Sequence, residues 1–165
     1  MAVNAFLTFF DKAEGESIQK GHEKWIEIRS WNWSVAAESS WTKGGGASVG
    51  KPSPRALVVE YAFDTSSPTV LGFISSGSVF PKAEIQVARA GGRGTMDTYF
   101  RLILEGVYVT QVSTAGTDDG GITQTIELVF KSVRIEYKMQ NRDGTLGQPK
   151  IFNWDIPAGT ASPAG

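Results

Sequence analysis

Residues 24–35 read KWIEIRSWNWSV, and the positions of the apolar side chains in this stretch decide the fold class. Ile26 and Ile28 fall on even positions, whereas Trp31, Trp33 and Val35 fall on odd ones. Period-two alternation marks a strand with one buried face, and its phase changes only where the strand bulges or passes between two environments. Residues 122–138, ITQTIELVFKSVRIEYK, repeat the signal: Ile122, Ile126, Leu128 and Phe130 are even, and Val133, Ile135 and Tyr137 are odd. Two long strands that change phase in mid-course suit a coiled sheet closing into a barrel, with bulges at the corners.

Working outward, residues 55–63 set Leu57, Val59, Tyr61 and Phe63 against Glu60, and residues 83–89 set Ile85 and Val87 against Glu84 and Gln86. Both read as strands with one wet face. Residues 3–10 are apolar and aromatic and stop at the turn-forming run 11–15, which predicts a buried first strand. The β-rich runs 98–105 and 107–112 are separated only by Gly106, where a tight turn and a bulge are equally consistent. Residues 114–121, TAGTDDGG, predict a polar loop, and Asp118 and Asp119 read as turn residues because the spaced ligands of a calcium loop are missing. Gly91 to Gly94 read as a hairpin tip. One segment is helical: in residues 65–77, Ser67 can cap, Pro68 suits the first position and Gly77 can end the helix in a left-handed conformation. Val70, Leu71 and Ile74 share one face there, widened by Phe73, so the helix should cover an end or side of the barrel. The predicted fold is mainly β: an antiparallel β-barrel with one flanking short α-helix and an extended glycine-rich loop. A single domain is expected over residues 1–156, with a flexible C-terminal tail at 157–165.

Composition excludes several kinds of chemistry. The 165 residues include no cysteine, so disulfides, zinc-thiolate sites and cysteine nucleophiles are ruled out. Sixteen Lys plus Arg balance seventeen Asp plus Glu, and a formal charge of −1 gives no net attraction to nucleic acid or an anionic membrane. No apolar run approaches the roughly 20 residues that span a bilayer, and the N-terminus lacks a basic region or cleavage signal, so a soluble, leaderless chain is expected. Residues 45–51 read G-x-x-x-x-G-K, yet Pro52 stands where a phosphate-binding loop needs a hydroxyl, and a strand follows rather than a helix. His22 is the only histidine; it lies in a charged turn and reads as solvated or capping. No catalytic, cofactor-binding or metal-binding residue is assigned, and no paired carboxylates stand in an acid/base arrangement.

If Trp31 and Trp33 point into the core, then Ser30, Asn32 and Ser34 must point the other way as a small, uncharged polar face, one that could line a wet cavity. The ordered set of Gly15-Glu16-Ser17 with His22, Ile26-Glu27 before Trp31-Asn32-Trp33, the glycine-rich Gly44 to Lys51 loop and Ala90-Gly91-Gly92 is joined by Val112-Ser113-Thr114, Val133 to Tyr137 with Gln140, Asp143-Gly144 and Asn153-Trp154-Asp155. Over residues 1–156 this set resembles the Hcp proteins, which form the tube of bacterial type VI secretion. The resemblance implies a non-enzymatic subunit of a homohexameric ring that stacks head to tail into a hollow tube, with the sheath, spike protein and baseplate as partners and no cofactor. It further implies small effector proteins held in the lumen, with neither nucleic acid binding nor membrane insertion, and assembly in the bacterial cytoplasm before export without a signal peptide. The shared architecture leaves a tail-tube protein of a contractile phage, or of a phage-derived injection particle, as the alternative. On this reading Ser30, Asn32 and Ser34 are lumen contacts. Trp41, Lys43, Gly44, Gly45, Gly46, Ala47, Ser48, Val49, Gly50 and Lys51 would form an arm reaching the adjacent ring.

Overall fold

The structure is a computed structural model and describes residues 3–39, 48–91 and 94–163. Its strands are β1 (Val3–Thr8), β2 (Ile26–Asn32), β3 (Val35–Ala36), β4 (Ser53–Pro54), β5 (Leu57–Ala62), β6 (Val79–Ala90), β7 (Met96–Gly116), β8 (Ile122–Val129), β9 (Ser132–Gln140), β10 (Leu146–Asp155) and β11 (Thr160–Ser162). The helix α1 (Ser67–Ser76) lies between β5 and β6. The main sheet runs β11-β10-β9-β7-β6-β1-β2-β5-β8, and β8 returns to pair with β7, closing an antiparallel barrel as the alternation predicts.

The length of β7 makes this closure possible. Its residues 96–108 carry β6 on one edge, while the opposite edge carries β9 along residues 100–105 and β8 along residues 108–116. One strand therefore belongs both to the barrel wall and to the β9-β10-β11 extension.

Both predicted phase changes are present. In β2 the register slips between Ile28↔Tyr61 and Ser30↔Glu60, so a bulge at Arg29 moves the inward set from Ile26 and Ile28 to Trp31. The run 122–138 is not one strand: it breaks at Phe130 and Lys131, between β8 and β9, where the Lys131 N–H bonds the Glu105 carbonyl at 3.0 Å. Directly opposite, Gly106 is neither a hairpin turn nor a bulge. β7 runs through it with the register to β6 unchanged on either side, and its φ of 62° switches the buried set from Leu102 and Leu104 to Val107 and Val109. A left-handed conformation costs a residue with a Cβ about 1–2 kcal/mol. Gly106→Ala should lose about that much in urea-induced unfolding; an unchanged midpoint would show that the strand tolerates a different local path.

The core is built from the inward residues of this wall, among them Leu7, Ile26, Leu57, Val59, Ile85, Leu102, Ile126 and Leu128. Helix α1 buries Val70 and stacks Phe73 on Phe80 at 3.8 Å, and Phe80 in turn stacks on Phe9 at 4.0 Å. The helix starts at Ser67 rather than after it: the N-cap position falls on Ser66, whose side chain makes no capping bond, and Asp64 holds the entry, its carboxylate accepting the Ser66 N–H at 2.9 Å. Gly77 ends it in the left-handed conformation as expected. Within the stretch expected as a tail, Thr160–Ser162 pairs as β11 with Asn153–Asp155 of β10.

Candidate functional site

Trp31 and Trp33 pack against the core, Trp31 on Phe100 at 5.2 Å and Trp33 near Phe130 at 5.7 Å. Their placement turns Ser30 and Asn32 outward, and both are exposed. Directly opposed residues of antiparallel strands share a face, so the registers extend this face across four strands. One row reads Ser30–Glu60–Thr125–Ser113, and the next reads Asn32–Val58–Glu127–Gln111. Arg29, at the bulge, donates from Nη1 to Thr123 Oγ1 at 2.9 Å on the same face. The result is a wet sheet face of small and polar side chains without an aromatic ring. Sequence reasoning found only its β2 column, because cross-strand register does not show in one strand's alternation. Ser34 stands apart: it is exposed just beyond β2, and its carbonyl accepts the Arg55 N–H at 2.9 Å.

The expected arm has a built stem. β3 pairs with β4, the Gly50 N–H bonds the Glu38 carbonyl at 2.7 Å, and Ser39 bridges Val49. Trp33 ties the foot of the stem to the barrel by donating from Nε1 to the Arg55 carbonyl at 3.0 Å. Ser48, Val49, Gly50 and Lys51 are exposed on this arm, with Val49 73% accessible. Trp41, Lys43, Gly44, Gly45, Gly46 and Ala47 lie outside the described residues, as do Gly92 and Arg93 of the hairpin tip.

His22 corrects the sequence reading. It is buried rather than solvated, stacked on Phe6 at 4.3 Å and edge-on to Trp25. The charged look of residues 19–24 hid this, since nothing in that turn announces an aromatic neighbour on β1. Gln86 fixes the ring's role: its amide nitrogen donates to Glu84, so its oxygen accepts from His22 Nε2 at 2.8 Å. The chain of contacts continues across the sheet, with Arg101 bonding Glu84 at 2.6 Å and Glu136 at 3.0 Å, and Arg134 bonding Glu136 at 2.9 Å. This is a structural ladder on the outer side of β6, β7 and β9. Burial pushes the Glu136 carboxyl up, but the bond from Arg134 and the charges of Arg101 and Arg134 outweigh it and leave the group below its ordinary value. A carboxyl depressed in the folded state contributes stability above its unfolded value, and that contribution is lost as pH falls through the folded one. Glu136→Gln should therefore flatten the loss of stability as pH falls through and below the ordinary glutamate range; equally steep curves for the two proteins would assign that loss to other groups.

Among the described residues no group of three or more His, Cys, Asp or Glu is placed to hold a metal ion, and no helix is long and apolar enough to cross a membrane. Asp119 serves its turn, accepting the Gly121 N–H at 3.1 Å and the Thr117 hydroxyl. The described residues thus bring together a closed barrel, a flanking helix, a stemmed arm and a broad polar face.

The family model described as type VI secretion system effector, Hcp, matches residues 6–137. Protein hcp1 of Pseudomonas aeruginosa is 32% identical over 158 residues, covering 94% of this chain and 96% of its own. The Major exported protein of the same species is 27% identical over 104 residues, which is 63% of this chain and 59% of that one. Hcp1 from Salmonella typhimurium superposes with a TM-score of 0.80 at 29% identity, covering 98% of this chain and 99% of that one. A structure described as a type six secretion system protein reaches a TM-score of 0.88 at 24% identity, over 98% of this chain and 100% of its own, and so shares the fold. The chain belongs to the Hcp family, a family of secretion-system proteins rather than of enzymes.

Proposed function

We propose that the protein is the repeating subunit of a type VI secretion inner tube, closing into six-membered rings that stack head to tail and carry small effector proteins in the lumen. The observation that carries this reading is a pair of unfinished strand edges. β6 begins at Val79, opposite Tyr108, so residues 109–116 of β7 have no partner strand on that edge among the described residues. β11 covers only Asn153–Asp155, so residues 146–152 of β10 are likewise unpaired on their outer edge. An open edge is a template for pairing with another chain, and two different edges on one subunit are what a ring with heterologous contacts needs. The β10 edge is blunted by Pro149 and by a register break between Leu146 and Pro149, whereas residues 109–116, VTQVSTAG, carry neither a charge nor a proline.

In this reading the face around Ser30 and Asn32 lines the lumen, Ser34 stands at its margin, and the arm on β3 and β4 contacts the next ring. The sheath, spike and baseplate are the partners of the assembled tube, and contraction would carry the protein out of the cell.

Light scattering on a sizing column with negative-stain microscopy tests the ring; a monomer that persists on concentration sinks it. The absence of native cysteine makes Ser30→Cys a single labelling site. A maleimide gold particle on it should appear in the central hole, and gold on the outer rim would refute the lumen assignment. Asn32→Arg should leave the ring intact and reduce retention of an effector, whereas loss of the ring would place Asn32 in an interface.

A further inference from the structure

Charge is unevenly distributed over the sheet, and this deepens the lumen reading on which the following rests. β2, β5, β8 and residues 109–116 of β7 contain no lysine, and Arg29 is their single cation. The other strand cations, Lys82, Arg89, Arg101, Arg134, Lys138 and Lys150, all lie on β6, the first half of β7, β9 and β10. On the polar face, Glu60 opposes Thr125 and Glu127 opposes Val58, which makes the two carboxylates diagonal neighbours on β5 and β8. Neither takes part in an ion pair among the described residues, and the Arg29 guanidinium is bonded to Thr123.

Like charges at neighbouring positions of a sheet face repel, and a channel lined by charge of one sign, as this face would form in the proposed ring, concentrates ions of the other. We infer that this face is built for a basic partner: the cargo it receives presents a Lys- or Arg-rich surface. Apart from Val58, the neutral side chains around the carboxylates, Ser30, Asn32, Gln111, Ser113 and Thr125, are polar and supply little apolar grip. Attraction is then electrostatic, weak per contact and salt-sensitive, which suits a cargo that must be released. A sixfold ring would repeat the Glu60 and Glu127 pair around the channel.

The test uses the assembled ring and a fluorescein-labelled oligolysine of about 20 residues, with oligoglutamate and a single-stranded oligodeoxynucleotide of similar length as controls, read by fluorescence anisotropy. Oligolysine should bind, and its affinity should fall about tenfold between about 50 mM and about 300 mM salt. The double variant Glu60→Gln, Glu127→Gln should bind about tenfold more weakly while keeping the ring by light scattering, with an unfolding midpoint equal to or above that of the parent. Oligolysine affinity unchanged in the double variant, or equal binding of oligoglutamate or the oligonucleotide, would overturn the inference. Gold at the rim on Ser30→Cys would instead remove the lumen reading and leave the charge preference standing as a property of an outer surface.

Discussion

Replacing Phe80 by alanine should cost about 3–5 kcal/mol of stability. Phe80 is fully buried and lies between two rings, 3.8 Å from Phe73 of α1 and 4.0 Å from Phe9 after β1. Its removal takes away transferred apolar surface and leaves a cavity between helix and barrel, and neither neighbour is free to fill it because each is fixed by its own element. Phe80→Leu keeps most of the volume and should lose less than about 1.5 kcal/mol. Urea-induced unfolding of both variants checks this. A loss below about 1 kcal/mol for the alanine would mean that α1 settles onto the gap and that the three-ring stack does not hold it in place.

The second large effect is expected at Arg101. The Glu84 side chain is only 5% accessible, whereas Arg101, which bonds it at 2.6 Å, is 38% accessible. Arg101→Met leaves a buried carboxylate without its cation, a change that costs about 3–5 kcal/mol when both partners are deep. Water around the half-exposed arginine lowers the expectation to roughly 2–3 kcal/mol. Removing the opposing charge as well, in Glu84→Gln with Arg101→Met, should recover most of the loss, since the penalty comes from the orphaned charge rather than from the pair. If the double variant is as unstable as the single one, the ladder matters for its hydrogen-bond geometry and not for its charge balance.

The residues that were legible in the sequence share one property: their signal lies within a single strand or helix. The jump from Ile28 to Trp31 revealed the bulge at Arg29, and Ser67, Pro68 and Gly77 bounded α1 to within a residue. What escaped depends on partners far along the chain. Gly106 could not be resolved between turn and bulge because its conformation is set by β6 on one side and Lys131 on the other. His22 looked solvated because Phe6, Trp25 and Gln86 enclose it from three separate segments. The same holds for the candidate face: its β2 column followed from alternation, but Glu60, Thr125 and Glu127 join it only through register. The resemblance to a tube-forming family supplied the functional reading that local patterns could not.

The long β7 also sets an order of events for a chain emerging from the ribosome. β6 with β7, β7 with β8, and β9 with β10 pair as hairpins between sequence neighbours, and β9 returns past β8 to residues 100–105 of β7, so these contacts close with little loop entropy to overcome. β1 is different. It pairs with β2 close by, but its other edge waits for β6, where Val3 meets Arg89. Until that strand is synthesised, the first segment has only one flank satisfied, and Leu7 and Phe9 have no barrel interior to enter. The N-terminal strand is thus made first and fully housed late, so the interval before β6 arrives is when a nascent subunit exposes most of its apolar surface to its neighbours.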